Sequence, residues 1–220
     1  MTITQTLDHL VYVVPDLEAG VADFAEATGV QPVFGGAHEG RGTANYLVRL
    51  QPAGWAEEPR PLTYLEILGP DPEQDLEEGA VRPLGVDEVD APRLQTWAIH
   101  PAGFDAVVAR AQQEGVDFGE VQDLSRRTPE GELLEWRLTV RGALPFGGLQ
   151  PFLIDWGDSP HPASKDMPVL TLESLTLTHS DATAVRPPLG ILGADGTDVD
   201  QGTEVGMSAQ LGTPNGTVTL

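Results

Sequence analysis

Apolar and polar positions along the chain fall into two runs with the same order of elements. Leu10, Val11, Tyr12, Val13 and Val14 form a β-branched and aromatic run, which predicts a strand over Thr4–Val14. Pro15 ends it, because proline cannot donate to a ladder. Asp16 stands where a helix N-cap belongs. Leu17, Val21, Phe24, Ala25 and Thr28 then recur at helical spacing, and Gly29 suits the left-handed position that closes a helix. A short strand near Gln31–Phe34, a glycine-rich loop, a strand Ala44–Leu50, a proline-bearing turn region Gln51–Pro61 and a strand Leu62–Leu68 follow. The predicted order is β-α-β-β-β.

From Asp71 to Pro92 acids sit among prolines and glycines with no apolar period, which predicts a solvated connector rather than an element. After it the pattern restarts. Leu94–His100 reads as a strand ended by Pro101, and Phe104, Val107, Val108 and Ala111 mark a helix face closed by Gly115. A shift of 86 positions carries Pro15 to Pro101, Val21 to Val107, Ala25 to Ala111 and Gly29 to Gly115. An internal duplication explains these landmarks. Strands near Phe118–Leu124, Leu133–Val140 and Gln150–Trp156 complete the second unit, with a turn at Pro129-Glu130-Gly131. In the last third, Val169–Thr178 reads as a strand. Pro187-Pro188 limits Ala182–Leu192 to a short broken helix. Val205–Leu211 and Gly216–Leu220 flank a hairpin turn.

Composition narrows the functional classes. The 220 residues carry 34 acids against 12 bases, a net charge of −22. Such a field repels phosphate backbones and anionic lipid, so neither nucleic acid nor membrane is an expected partner. With no cysteine there is no disulfide, thiolate ligand or cysteine nucleophile. Met1–Leu7 lacks a secretion-signal pattern, and no apolar run reaches membrane-span length, so a cytoplasmic location is expected. The richest chemistry lies between Phe34 and Leu50. There four glycines surround His38 and Arg41, and the run continues through Thr43 and Asn45. Glycines allow close approach, and these side chains supply donors and acceptors, so this is the composition of a binding loop.

The stretches "LDHLVYVVPDLEAGVADF", "GGAHEGRGTANYLVRL", "YLEILGPD", "SRRTPEGELLEWRL", "LQPFLIDWGDSPHP" and "TPNGTVTL" resemble the vicinal oxygen chelate superfamily, in its glyoxalase-like branch. The resemblance implies an α+β fold of tandem βαβββ modules. Their curved mixed sheets would surround a cavity, with a C-terminal β-rich extension packed on the main body. The corresponding divisions are 1–70, 71–93, 94–165 and 166–220. In metal-dependent members a ligand comes from the first and the last strand of each unit. Those positions match His9 and Glu66, which makes them a metal half-site or an acid–base pair. In the second unit the 86-residue shift carries His9 onto Gln95, and aligning Gly69 with Gly157 carries Glu66 onto Ile154. Neither is a good ligand, and Asp155 takes the place of Ile154 only by a one-residue slip onto the other strand face.

His38, Thr43, Asn45, Arg126, Arg127, Trp97 and Trp136 are the expected ligand-contacting residues. An inward arginine would hold a carboxylate or phosphate, and tryptophans would supply flat apolar walls. Trp156 is a third such wall, while His161 and His179 have no visible partner in the sequence. The partner expected is a small-molecule ligand, with homodimerisation left open. No tightly bound cofactor is expected, only a weakly held divalent metal. Two functions fit: lyase or isomerase chemistry on a carbonyl compound, or a non-catalytic protein that sequesters an antibiotic- or toxin-like molecule.

Overall fold

The structure, a computed structural model, describes residues 3–55, 61–77, 79–127, 131–140 and 142–220. The first unit is β1 (Leu7–Val13), α1 (Leu17–Thr28), β2 (Val33–His38), β3 (Thr43–Pro52) and β4 (Thr63–Pro70). The second is β5 (Arg93–Ile99), α2 (Phe104–Gln113), β6 (Glu120–Arg127), β7 (Leu133–Val140) and β8 (Phe152–Asp155). The extension is β9 (Val169–His179), α3 (Ala182–Leu192), β10 (Asp198–Gln201), β11 (Gly206–Thr213) and β12 (Gly216–Thr219). One sheet runs β12-β11-β9-β3-β4-β1-β5-β8-β7-β6, with β2 on β3 and β10 on β9. This is the expected α+β fold of tandem βαβββ units around a cavity.

The two units meet edge to edge at β1 and β5, which run antiparallel. In each unit the first strand lies parallel to the last, β1 to β4 and β5 to β8. The pairing fixes the repeat more sharply than the sequence landmarks do. Leu10 pairs with Trp97, His9 with Ala98 and Val11 with Thr96. A twofold through the Leu10–Trp97 pair exchanges the other two pairs only if the shift is 87, not 86. Each strand also carries one extra residue, Asp8 in β1 and Gln95 in β5, and these bulges are 87 apart as well. The helices agree: buried Leu17, Gly20 and Phe24 map onto buried Phe104, Val107 and Ala111. The 86-residue spacing of Gly29 and Gly115 arises because α2 is shorter at its end. The counterpart of His9 is therefore Thr96 rather than Gln95. By the same pairing, Glu66 stands opposite Val11 as Phe152 stands opposite Ala98, so Phe152 replaces Ile154 as its counterpart.

Strand alternation divides the sheet into two faces. Leu10, Leu65, Ile67, Trp97 and Ile99 share the main core with residues of α1 and α2. His9, Tyr64 and Glu66 lie on the other face and line the cavity. Asp16 caps α1 by accepting from the Ala19 N–H, and Gly29 adopts φ 72° after it, as the sequence predicts.

Four expectations change. The region after Asp71 is docked rather than solvated. A 3₁₀ segment spans Pro83–Glu88, Val86 and Val89 pack on Val11, Val13 and Leu68, and Arg82 bonds the Gly42 carbonyl at 2.8 Å. The glycine run is not a loop up to His38: β2 continues through Gly35 and Gly36, and the turn occupies Glu39–Gly42. Residues Ala182–Leu192 form an 11-residue helix despite Pro187 and Pro188. Asp181 caps its start, Gly193 closes its end, and Ala182, Val185, Leu189 and Leu192 are buried on one face. This burial outweighs two lost backbone bonds. Finally, β10 lies within 181–203, where no strand is expected. Pro129 and Glu130 of the predicted turn lie outside the described residues.

Candidate functional site

Cavity-lining residues come from β1, β4 and the β2–β3 hairpin of the first unit, the Leu76–Glu88 segment, and β5 to β8 of the second. They enclose about 750 Å³, room for a drug-sized molecule. Apolar walls come from Phe118, Leu124, Trp136, Leu138, Phe152 and Ile154. Polar groups cluster at one wall.

That cluster is built on β1. Adjacent strand residues normally face opposite ways, but the bulge at Asp8 brings Asp8 and His9 together. The His9 Nδ1 lies 2.6 Å from Asp8 Oδ1, so Nδ1 is the protonated donor and Nε2 is directed elsewhere. His9 Nε2 lies 3.8 Å from Glu66 Oε2, and its ring stacks on Tyr64 with centroids 4.6 Å apart. Glu66 also accepts from Asn45 Nδ2 at 2.5 Å and stands 3.9 Å from His38 Nε2. His38 is held by Thr43 Oγ1 at 2.9 Å. Burial holds the His38 imidazole below its ordinary value, with Arg126 and Arg41 adding to that and Glu66 opposing it. Burial pushes the Tyr64 phenol well above its ordinary value, helped by Asp8 and Glu66.

Asp8 is the most enclosed carboxylate of the group, at 1% exposure. Burial alone would raise its pKa. Hydrogen bonds from His161 and His9 outweigh that and hold the carboxyl well below the usual carboxylate range. Trp156 Nε1 donates to Asp8 Oδ2 at 3.0 Å, and His161 Nε2 approaches the same oxygen at 3.2 Å. Asp8 thus joins β1 to the far end of the second unit.

Arg126 reaches across from β6. It is 6% exposed and donates through Nη1 to the Gly35 carbonyl. Burial lowers its pKa, while Tyr64 and Glu66 favour its charged form. Gly36 makes this approach possible. At φ 142°, a Cβ there would meet Arg126 Nη1 at 2.6 Å. The glycines of the sequence motif make room for a protein guanidinium and for Asn45, beside Gly35.

The remaining expected contacts separate. His9, Glu66, His38, Asn45, Arg126 and Trp136 line the cavity. Thr43 is buried behind His38. Arg127 is exposed and donates to the Gly131 carbonyl at 3.1 Å, so it is not a ligand contact. Trp97 does not reach the cavity. It is wholly buried on the helix face and donates to the Leu149 carbonyl at 2.8 Å. Asp155 faces away and pairs with Arg137 at 2.6 Å, which removes it as a third metal ligand. Asp8 and His161 carry no sequence signal for their roles, since strand parity separates Asp8 from His9 and 153 residues separate it from His161.

The donors do not form a metal cage. Among the described residues no group of three His, Cys, Asp or Glu side chains is placed to hold a metal ion. The Asn45 Nδ2 contacts both Glu66 Oε1 and, at 3.4 Å, His38 Nε2, so it takes the place of an ion shared by Glu66 and His38 and leaves only His9 beside the other Glu66 oxygen. The second unit contributes Thr96 and Phe152 at the counterpart positions, and Arg126 already supplies a fixed cation.

A family model described as a glyoxalase-like domain matches residues 7–190. No curated protein matches the chain. Among solved structures it is similar to a hypothetical protein from Staphylococcus aureus, with TM-score 0.60 and 18% identity over 97% of this chain and 83% of that one. It is also similar to a variant of Streptomyces coelicolor methylmalonyl-CoA epimerase in complex with 2-nitronate-propionyl-CoA. There the TM-score is 0.46 and the identity 19%, covering 70% of this chain and 97% of that one. For methylmalonyl-CoA epimerase from Mycobacterium tuberculosis the values are 0.41 and 16%, with 75% and 95% covered. At these identities the likeness speaks for the fold alone. No helix among the described residues is long and apolar enough to cross a membrane.

Proposed function

The chain belongs to the glyoxalase-like domain family, and from that premise we propose that it acts on a carbonyl-bearing metabolite in the cavity between its two units. Glu66 and His9 serve as an acid–base pair for isomerase or lyase chemistry. The observation that carries this reading is the convergence of the His9 Nε2 and the Glu66 carboxylate, 3.8 Å apart, on a largely apolar cavity. The partner whose facing atom carries no proton, the Glu66 carboxylate or His9 Nε2, takes a proton from the carbon beside the carbonyl. The electron pair of that C–H bond moves to the carbonyl oxygen, giving an enolate. The protonated partner returns a proton to carbon. Arg126 supports the negative oxygen electrostatically, in a site whose low dielectric strengthens the interaction. Phe152, Trp136 and Leu138 accommodate the apolar remainder.

A second reading, a non-catalytic binder of an antibiotic- or toxin-like molecule, is favoured by the Asn45 bond to Glu66 at 2.5 Å, which holds the carboxylate in place. Saturation-transfer NMR with a panel of carbonyl acids and carbonyl-free apolar compounds tests the choice. Carbonyl acids are expected to bind, and Arg126→Met to weaken them by about tenfold or more, the scale of a lost hydrogen bond to a charged group. Binding confined to carbonyl-free compounds would overturn the first reading in favour of the second.

A further inference from the structure

His161 and Trp156 stand outside the acid–base pair, yet both end on the carboxylate behind it. We propose that His161 is a positioning residue, which, with Trp156, locks Asp8 so that His9 keeps its proton on Nδ1 and presents Nε2 to the cavity. This rests on the acid–base reading of the site.

Residues Pro162–Ser164 form a 3₁₀ turn capped by His161, whose Nδ1 accepts the Ala163 N–H at 3.1 Å. A nitrogen that accepts carries no proton, so the His161 proton sits on Nε2. That Nε2–H points at Asp8 Oδ2, 3.2 Å away. Trp156 Nε1 is a donor only, and it meets the same oxygen at 3.0 Å. Two donors with no freedom to reverse roles therefore fix one oxygen of Asp8. The other oxygen is left to accept from His9 Nδ1 at 2.6 Å. The bulge at Asp8 is what allows one carboxylate to serve both sides. Aromatic contacts hold the rings in register: Tyr64 stacks on His9 and meets His161 edge-on with centroids 5.6 Å apart, and Trp156 meets His161 edge-on at 5.7 Å. His9 belongs to the first unit, while Trp156 and His161 follow β8 of the second. The tautomer of His9 is thus set across the junction of the two units. The 3₁₀ turn at Pro162–Ser164 acts on the cavity without touching it.

The test is spectroscopic and independent of any substrate. Long-range ¹H–¹⁵N spectra of ¹⁵N-labelled protein at neutral pH report which nitrogen of His9 is protonated, with His9→Gln assigning the signals. The wild type is expected to show a protonated Nδ1. In His161→Phe, which keeps a ring but removes the donor, the Nδ1 proton is expected to exchange with solvent roughly tenfold faster, the scale of one hydrogen bond. In His161→Gln, whose amide N–H reaches toward Asp8, the slow exchange is expected to return in part. Should His161→Phe fail to fold, Trp156→Phe removes the second donor and is read the same way. An unprotonated His9 Nδ1 in the wild type, or exchange unchanged in the donor-deleted protein, would overturn the proposal. A confirmed tautomer with no chemistry on any carbonyl compound would leave this inference standing and defeat the acid–base reading alone.

Discussion

Replacing Gly36 by alanine tests whether the glycine motif exists to admit Arg126. Gly36 has φ 142°, a region open essentially to glycine, and a Cβ would stand 2.6 Å from Arg126 Nη1 and 3.3 Å from the Arg127 carbonyl. The backbone cost is about 1–3 kcal/mol. Displacing the guanidinium from the Gly35 carbonyl forfeits a charge-assisted bond of about 1.5–3 kcal/mol. Together these come to about 4 kcal/mol, or a fall in Tm of about 12 °C for a chain of this size. Gly40→Ala is the control. Gly40 also has positive φ, 71°, but nothing lies within 4 Å of its Cβ position, so only a backbone cost of about 1–2 kcal/mol applies. Urea unfolding of both variants, alone and combined with Arg126→Met, measures the difference. In the Arg126→Met background the extra cost of Gly36→Ala should shrink by about half, because the clash partner is gone. If Gly36→Ala and Gly40→Ala unfold within about 1 kcal/mol of each other, the arginine does not depend on the glycine and the reasoning fails.

The acidic surface, with net charge −22, should make Tm rise between very low and moderate salt as self-repulsion is screened. A flat profile in differential scanning fluorimetry would mean that the charges are spread or paired too well to matter. Burial lowers the His38 pKa, so its contribution is intact above the ordinary histidine value of about 6.5. It is lost as pH falls from there toward the folded value, because the unfolded chain takes up a proton that the folded protein refuses. The wild type should therefore lose more Tm between pH 7 and pH 5 than His38→Gln does. Parallel curves would show that folded His38 accepts the proton. Divalent metal measured by equilibrium dialysis should bind weakly, because Asn45 stands between Glu66 and His38 and leaves only His9 and Glu66 as neighbouring donors; stoichiometric metal surviving a chelator wash would contradict this.

Much of this fold was legible in the spacing of apolar residues. The run Leu10–Val14, the cap at Asp16 and the glycines at 29 and 115 need only local physics, and the paired units follow from their repetition. The register did not follow. Gly29 and Gly115 are 86 apart, but α2 is two residues shorter than α1 at its end and its glycine follows the cap residue instead of being it, which conceals the 87-residue relation that the β1–β5 pairing and its two bulges reveal. A bulge has no reliable sequence mark, and without it strand alternation sets Asp8 on the face opposite His9. Arg126 was legible as a scarce cation in an acidic chain, but its seat on Gly35 depends on the sheet curving until β2 and β6 meet. The docking of Pro83–Glu88 was hidden by its acids, because Val86 and Val89 are too few to make a period. Pro187 and Pro188 argued for a broken helix, and only the buried face of α3 and its two caps outweighed them.

The central claim is that Glu66 and His9 move a proton on a carbonyl compound in the cavity. It is tested most directly by following the α-proton signals of carbonyl ligands by ¹H NMR in D₂O. The wild type should replace the α-proton of at least one cavity ligand with deuterium. Glu66→Gln and His9→Ala should each slow this by about a hundredfold or more, with the double variant scarcely slower than either, because the two groups act as a unit. Exchange that persists at the wild-type rate in Glu66→Gln, with the ligand still bound, would contradict the account.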